Sequence, residues 1–164
     1  NPNGYYEFER VKALAKGDSA WIPEARGKAV KVISALLKHL PSQYRYRVLF
    51  MRRNMFEILA SQRRMLENRG EQVDAIDDAT MARLFEQHLK EVEAWLRAQP
   101  NLNWLSIDYN RLLKKPDTEL VVLRKFFRSH RSIEKMASVI NPSLHRQKAK
   151  SKPKYSKSSV GDLP

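Results

Sequence analysis

The sequence predicts an α/β fold, a parallel sheet flanked by helices, and three observations carry that prediction. Val48-Leu-Phe-Met51 is a short, continuous apolar run, which is what a strand buried on both faces of a parallel sheet requires. It ends in Arg52-Arg53-Asn54, and a helical pattern begins at once, with Met55, Ile58, Leu59, Gln62, Met65 and Leu66 on one face. Two further strand-like runs, Ala29–Ile33 and Trp104–Asp108, are set apart from the first by helical patterns. Strands alternating with helices point to parallel pairing. Three strands are nevertheless few for a sheet covered on both sides.

Taken in order, residues 1–7 hold Pro2, Asn3 and Gly4 and read as a turn. Glu7 to Ala15 fits a short helix with Phe8, Val11, Leu14 and Ala15 inward, broken at Lys16-Gly-Asp-Ser. Trp21 to Gly27 reads as a loop with one large apolar anchor. Ala29–Ile33 is a strand candidate interrupted by Lys31, and Ser34 to Leu40 forms a helical turn or two that Pro41 stops. After the strand at 46–51, Asn54 is a good N-cap and Glu57 three residues later completes something close to a capping box. That helix runs to about Asn68, and Gly70 to Asp78 is polar and loop-like. Asp78 is placed to cap the clearest helix of the chain, in which Met81, Leu84, Phe85, Leu89, Val92, Trp95 and Leu96 recur on one face. Pro100 ends it. Trp104–Asp108 is followed by Tyr109 and a loop. Pro116 sits well at a helix start, with Leu120, Leu123, Phe126 and Phe127 on the buried side, and a last short helix spans roughly Ser132 to Val139.

A chain of 164 residues suits one domain with a real core. Its formal charge of +13 implies anionic partners: nucleotide, nucleic acid, acidic lipid or sulfated polymer. The last nineteen residues, from Arg146, hold six Lys or Arg against one acid, so five of the thirteen net charges sit there. We divide the chain into an α/β domain over 1–146 and a basic, disordered tail over 147–164. The absence of cysteine excludes disulfides, thiolate metal sites and a Cys nucleophile. The four histidines are scattered, and none pairs with another at metal-ligand spacing. No apolar run reaches membrane-spanning length and no signal peptide is visible, so the chain is read as cytoplasmic. The opening Asn-Pro-Asn-Gly, without methionine, leads us to expect a piece of a longer protein.

In open α/β sheets ligands bind outside the carboxyl ends of strands, where helix N-termini present unpaired N–H groups. Two arginines at such a corner make phosphate the first ligand to consider. Tyr46-Arg-Val-Leu-Phe-Met-Arg-Arg-Asn54, with Ser61 eight positions after Arg53, resembles the 3′-phosphate-binding segment of sulfotransferases that use 3′-phosphoadenosine 5′-phosphosulfate (PAPS). Ile107-Asp-Tyr-Asn-Arg-Leu-Leu-Lys-Lys-Pro116 is similar to their strand–Tyr–loop–Pro segment. Asn1-Pro-Asn-Gly-Tyr-Tyr-Glu7 and Gly27-Lys-Ala-Val-Lys-Val-Ile33, followed by Leu40-Pro41, look like the bacterial branch of that superfamily. The likeness covers about residues 1–147. It implies a P-loop-type sulfotransferase fold that is N-terminally incomplete, with PAPS as co-substrate and no metal.

By position, the resemblance assigns Arg53 and Ser61 to the 3′-phosphate, Tyr109 to the adenine, Lys31 to the family's catalytic lysine, and Arg146 to a basic C-terminal loop that closes on the phosphate. The family's 5′-phosphosulfate loop falls before residue 1, and no Gly-rich phosphate-binding turn replaces it here. In many relatives a histidine base lies two residues after the lysine, where this chain has Ile33. The general base is therefore unidentified, and the chain alone is expected to bind rather than turn over. Simpler readings stand beside these. Arg53 also reads as a strand-end arginine satisfied by a carboxylate such as Glu57, Ser61 as a small residue for close packing, Tyr109 as a half-buried aromatic and Lys31 as a solvated strand residue. The rival from another class is a non-catalytic basic module that binds nucleic acid or another polyanion through its positive face and tail. Exposed sheet edges would also invite self-association.

Overall fold

The computed structural model describes residues 8–70 and 77–145. The expected turn at 1–7, most of the polar loop before Asp78, and Arg146 with the tail over 147–164 lie outside those residues. The chain divides into two compact units, Asn1–Phe50 with Arg83–Ile107, and Met51–Ala82 with Asp108–Pro164.

In the first unit, a 3₁₀ helix over Glu9–Lys16 buries Val11 and Leu14 and ends at Gly17. Gly17 takes φ +87°, a left-handed conformation that closes the helix and costs glycine little. Trp21 and Ile22 pack with Val11 and Leu14 in one core cluster, and the Trp21 indole N–H donates to the Asp18 carbonyl at 3.2 Å. The expected anchor in this loop is therefore a true core residue. Past a single 3₁₀ turn at Pro23–Ala25, a 3₁₀ helix over Ser34–His39 brings in Leu37.

The sheet has two strands, β1 (Tyr46–Arg52) and β2 (Leu102–Asp108). They run parallel: the Tyr46 N–H donates to the Asn101 carbonyl and the Asn101 amide donates to the Tyr44 carbonyl, so both strands begin at the same edge. Between them in sequence lie α1 (Met55–Arg69) and α2 (Asp78–Ala98). Val92 and Leu96 of α2 join Leu37, Phe50 and Leu102 in the second core cluster, with Tyr46, Val48 and Trp104 packed against it. One face of the sheet is thus covered by α2 and the 3₁₀ helix before β1.

The expected strand at 29–33 does not form. Residues 29–33 carry no ladder, Lys31 is exposed and Ile33 is 60% exposed. Its alternation of Val30 and Val32 with polar or exposed neighbours seats two side chains against the core without a paired strand. Leu84, expected inward on α2, is 51% exposed. The cap of α2 is Asp77 rather than Asp78: its carboxylate accepts from the N–H groups of Ala79 and Thr80.

In the second unit, Leu59 of α1 is buried, and so are Leu120 and Leu123 of a helix from Pro116. The stretch after Tyr109, expected to be a loop, is a short helix, α3 (Tyr109–Lys114), capped by Asp108, whose carboxylate accepts from the Arg111 N–H at 2.9 Å. Then follow α4 (Pro116–Phe127) and α5 (Ile133–Ala137). α4 packs on both α3 and α5. Arg111 pairs with the buried Glu119 at 2.9 Å, which ties α3 to the first turn of α4. Phe127, expected on the buried side, is 41% exposed at the end of α4, next to a left-handed Arg128. Among the described residues no helix is long and apolar enough to cross a membrane.

Candidate functional site

The corner after β1 is built by its own sequence. Asn54 leaves the helical conformation and its side-chain oxygen accepts from the Phe56 N–H at 3.0 Å, satisfying one of the orphan donors of α1. The reciprocal half of a capping box is absent. The Asn54 N–H donates instead to the Asn110 side-chain oxygen at 3.0 Å, and the Glu57 carboxylate meets other partners.

Glu57 is 3% exposed and is the centre of the site. Its Oε2 accepts from Arg53 Nε at 2.9 Å and lies 2.7 Å from His145 Nε2; its Oε1 accepts from Asn110 Nδ2 at 2.9 Å. A carboxylate offers only acceptors, so the proton in the His145 contact belongs on Nε2. A buried charge is tolerable only when paired and hydrogen-bonded, and Glu57 meets both conditions. Tyr109 completes the group. The Arg53 guanidinium carbon stands 5.1 Å from the Tyr109 ring centroid, within cation–π range. His145 meets the same ring edge-on, with centroids 5.5 Å apart at 90°. Arg53, Glu57, Tyr109, Asn110 and His145 thus converge, all from the second unit.

Two of the residues singled out from sequence, Arg53 and Tyr109, meet in this cluster. Arg53 also makes the ion pair with Glu57 that its simpler reading expected. Ser61 is exposed, one turn beyond Glu57 on α1, and the cluster is built without it. Lys31 belongs to the first unit. Arg146 lies outside the described residues. The sequence reading did not find Asn110 or His145, nor the central role of Glu57. The Arg53–Glu57 spacing of four was the one signal available. The partners 53 and 88 residues further along carry no local signature.

In the first unit, Ser34 Oγ and His88 Nε2 lie 2.8 Å apart, both half-buried. Among the described residues no three His, Cys, Asp or Glu side chains are grouped to hold a metal ion.

The cluster can hold a guanidinium in one orientation against an aromatic face, beside a helix N-terminus. A guanidinium has five N–H donors, and the bond to Glu57 uses the one on Nε. An incoming phosphate has to compete with that carboxylate for the same cation. Compared with protein-family models, curated proteins and solved structures, the chain matches none.

Proposed function

We propose that the chain binds the 3′-phosphoadenosine part of PAPS in the cytoplasm, as part of a sulfotransferase that passes a sulfuryl group to a hydroxyl or amine. What supports the reading is the meeting of Arg53 with Tyr109. Their segments are 56 positions apart in sequence and were assigned to phosphate and adenine from separate stretches. A guanidinium lying against a phenol ring suits a nucleotide whose phosphate and purine must be held together. In this reading Arg53 and Ser61 take the 3′-phosphate, Tyr109 covers the purine, and Arg146 closes over the phosphate. Glu57 acts by orienting the guanidinium.

The reaction is an in-line displacement. The acceptor oxygen or nitrogen forms a bond to sulfur as the bond from sulfur to the 5′-phosphate oxygen breaks. Cations stabilise the charge gathering on that departing oxygen. The resemblance gives that role to Lys31, and the acceptor proton leaves to a base not identified among these residues. The chain is therefore expected to bind nucleotide without turnover.

Isothermal titration with adenosine 3′,5′-bisphosphate tests the proposal. Arg53→Ala should weaken binding about tenfold or more, the effect of losing one charge-assisted bond pair. Equal affinity in the two proteins removes Arg53 from the site and the reading with it.

A further inference from the structure

The C-terminal half of α4 and the turn that follows form a cationic surface with an apolar centre, and we propose that it docks on an acidic lipid surface. Val121 is 50% exposed. Arg124 and Lys125 follow it at three and four positions on α4, and Arg128 stands just past the helix end; all three are exposed, whereas Leu120 and Leu123 are buried. Arg131 and Lys135 extend the charge through the turn and α5, and both are exposed. Between 124 and 135 there are five Lys or Arg and one acid, Glu134, a formal net of +4.

A structural reason covers part of this. The carbonyl end of a helix favours cations in its last turn, and Arg124 and Lys125 occupy that turn. It does not cover Arg128. That residue sits at φ +52°, ψ +42°, where its N–H bonds to the Lys125 carbonyl and the Ser129 N–H bonds to the Arg124 carbonyl. This is the left-handed helix-ending position that glycine ordinarily fills, and a β-carbon there is strained. An arginine at this position carries a backbone cost. Strain of this kind is the observation from which a functional role is inferred.

The chemistry selects among anionic partners. Guanidinium and ammonium groups fit phosphate of any origin. Base-edge reading relies on amide side chains, and residues 121–135 contain no Asn or Gln; their aromatic side chains are Phe126, half-buried, Phe127, which meets it edge-on, and His130. What stands among the cations is apolar and carries no hydrogen-bonding group: Val121, Val122 and Phe127, all exposed. Cations around a small apolar centre suit a headgroup layer, where the charges meet lipid phosphates and the valines enter the interface.

Flotation of the full chain with phosphatidylcholine vesicles, with and without phosphatidylserine, tests this. Binding is expected only to the acidic vesicles. Arg124→Gln combined with Lys125→Gln should reduce it about tenfold or more, and Val121→Ser should reduce it further at moderate salt. Arg128→Gly is the decisive variant, because it relieves the strained position: melting temperature should hold or rise while vesicle binding falls. A role in folding alone predicts a stable protein with unchanged binding, which would overturn the proposal. So would binding that is lost only when Lys148, Lys150, Lys152 and Lys154 are changed to Gln. A protein whose α4 variants lose an oligonucleotide but keep the vesicles would show that the partner is nucleic acid instead.

Discussion

Glu57 shows how one buried carboxylate organises residues that no local pattern connects. Three donors, from Arg53, Asn110 and His145, converge on its two oxygens. Glu57→Gln keeps the shape but removes the charge, and it turns an amide N–H toward donors. We expect a loss of about 2–3 kcal/mol, visible as a drop of several degrees in thermal unfolding. Glu57→Asp, which shortens the arm, should fall between. A melting temperature unchanged in Glu57→Gln would mean that the cluster contributes nothing to stability. Tyr46 offers a second test at this scale. Burial pushes its phenol up to about 12, with Tyr44 nearby adding to the effect, while its hydroxyl donates to the Pro41 carbonyl at 2.9 Å. Because the folded value lies above the ordinary one near 10, its contribution to stability is complete below pH 10 and is lost as pH rises through about 12. Spectrophotometric titration of the tyrosines should show one late phase that Tyr46→Phe removes; a late phase surviving that change would assign it elsewhere.

At the scale of elements, the signals that held were those written within a few residues. The apolar run into β1, the Asn54 cap, Pro116 at the start of α4 and the periodicity of α2 around Val92 and Leu96 are local, and each element forms where its signal stands. The strand expected at 29–33 failed for a reason outside its own residues: a strand exists only through a neighbour's backbone. The capping box failed similarly, since a distant Asn110 took the Asn54 N–H and freed Glu57 for Arg53. Asn110 therefore holds α1 at two points, its N-terminal N–H and its buried carboxylate. Asn110→Ala should cost more than Asn54→Ala, which removes one cap bond worth about 1 kcal/mol. A double-mutant cycle between Asn110→Ala and Glu57→Gln should give a coupling of about 0.5 kcal/mol or more. Additive losses would mean that the two side chains act independently.

Across the whole molecule the dominant quantity is charge, 31 Lys and Arg against 18 Asp and Glu. Several cations are paired at the surface, as in Arg10 with Asp18 at 2.8 Å and Arg63 with Asp78 at 2.6 Å. Burial is modest around both pairs, and exposed pairs are each worth about 0–1 kcal/mol. Salt weakens such attractions, but it also screens the repulsion among the unmatched cations, and the two effects have opposite signs. With a formal excess of +13, repulsion has more terms than attraction, so screening should win. Five of those charges lie beyond His145, which leaves an excess of eight in residues 1–145 to be screened. We expect the melting temperature to rise as sodium chloride is increased from low to physiological concentration. A divalent anion separates general screening from a specific receptor. Sulfate at matched ionic strength should raise it further if Arg53 or the α4 surface gathers anions, and Arg53→Ala or Arg128→Gly should remove the corresponding part of that increment. A melting temperature that falls with added salt would instead place the surface ion pairs above the self-repulsion of the chain.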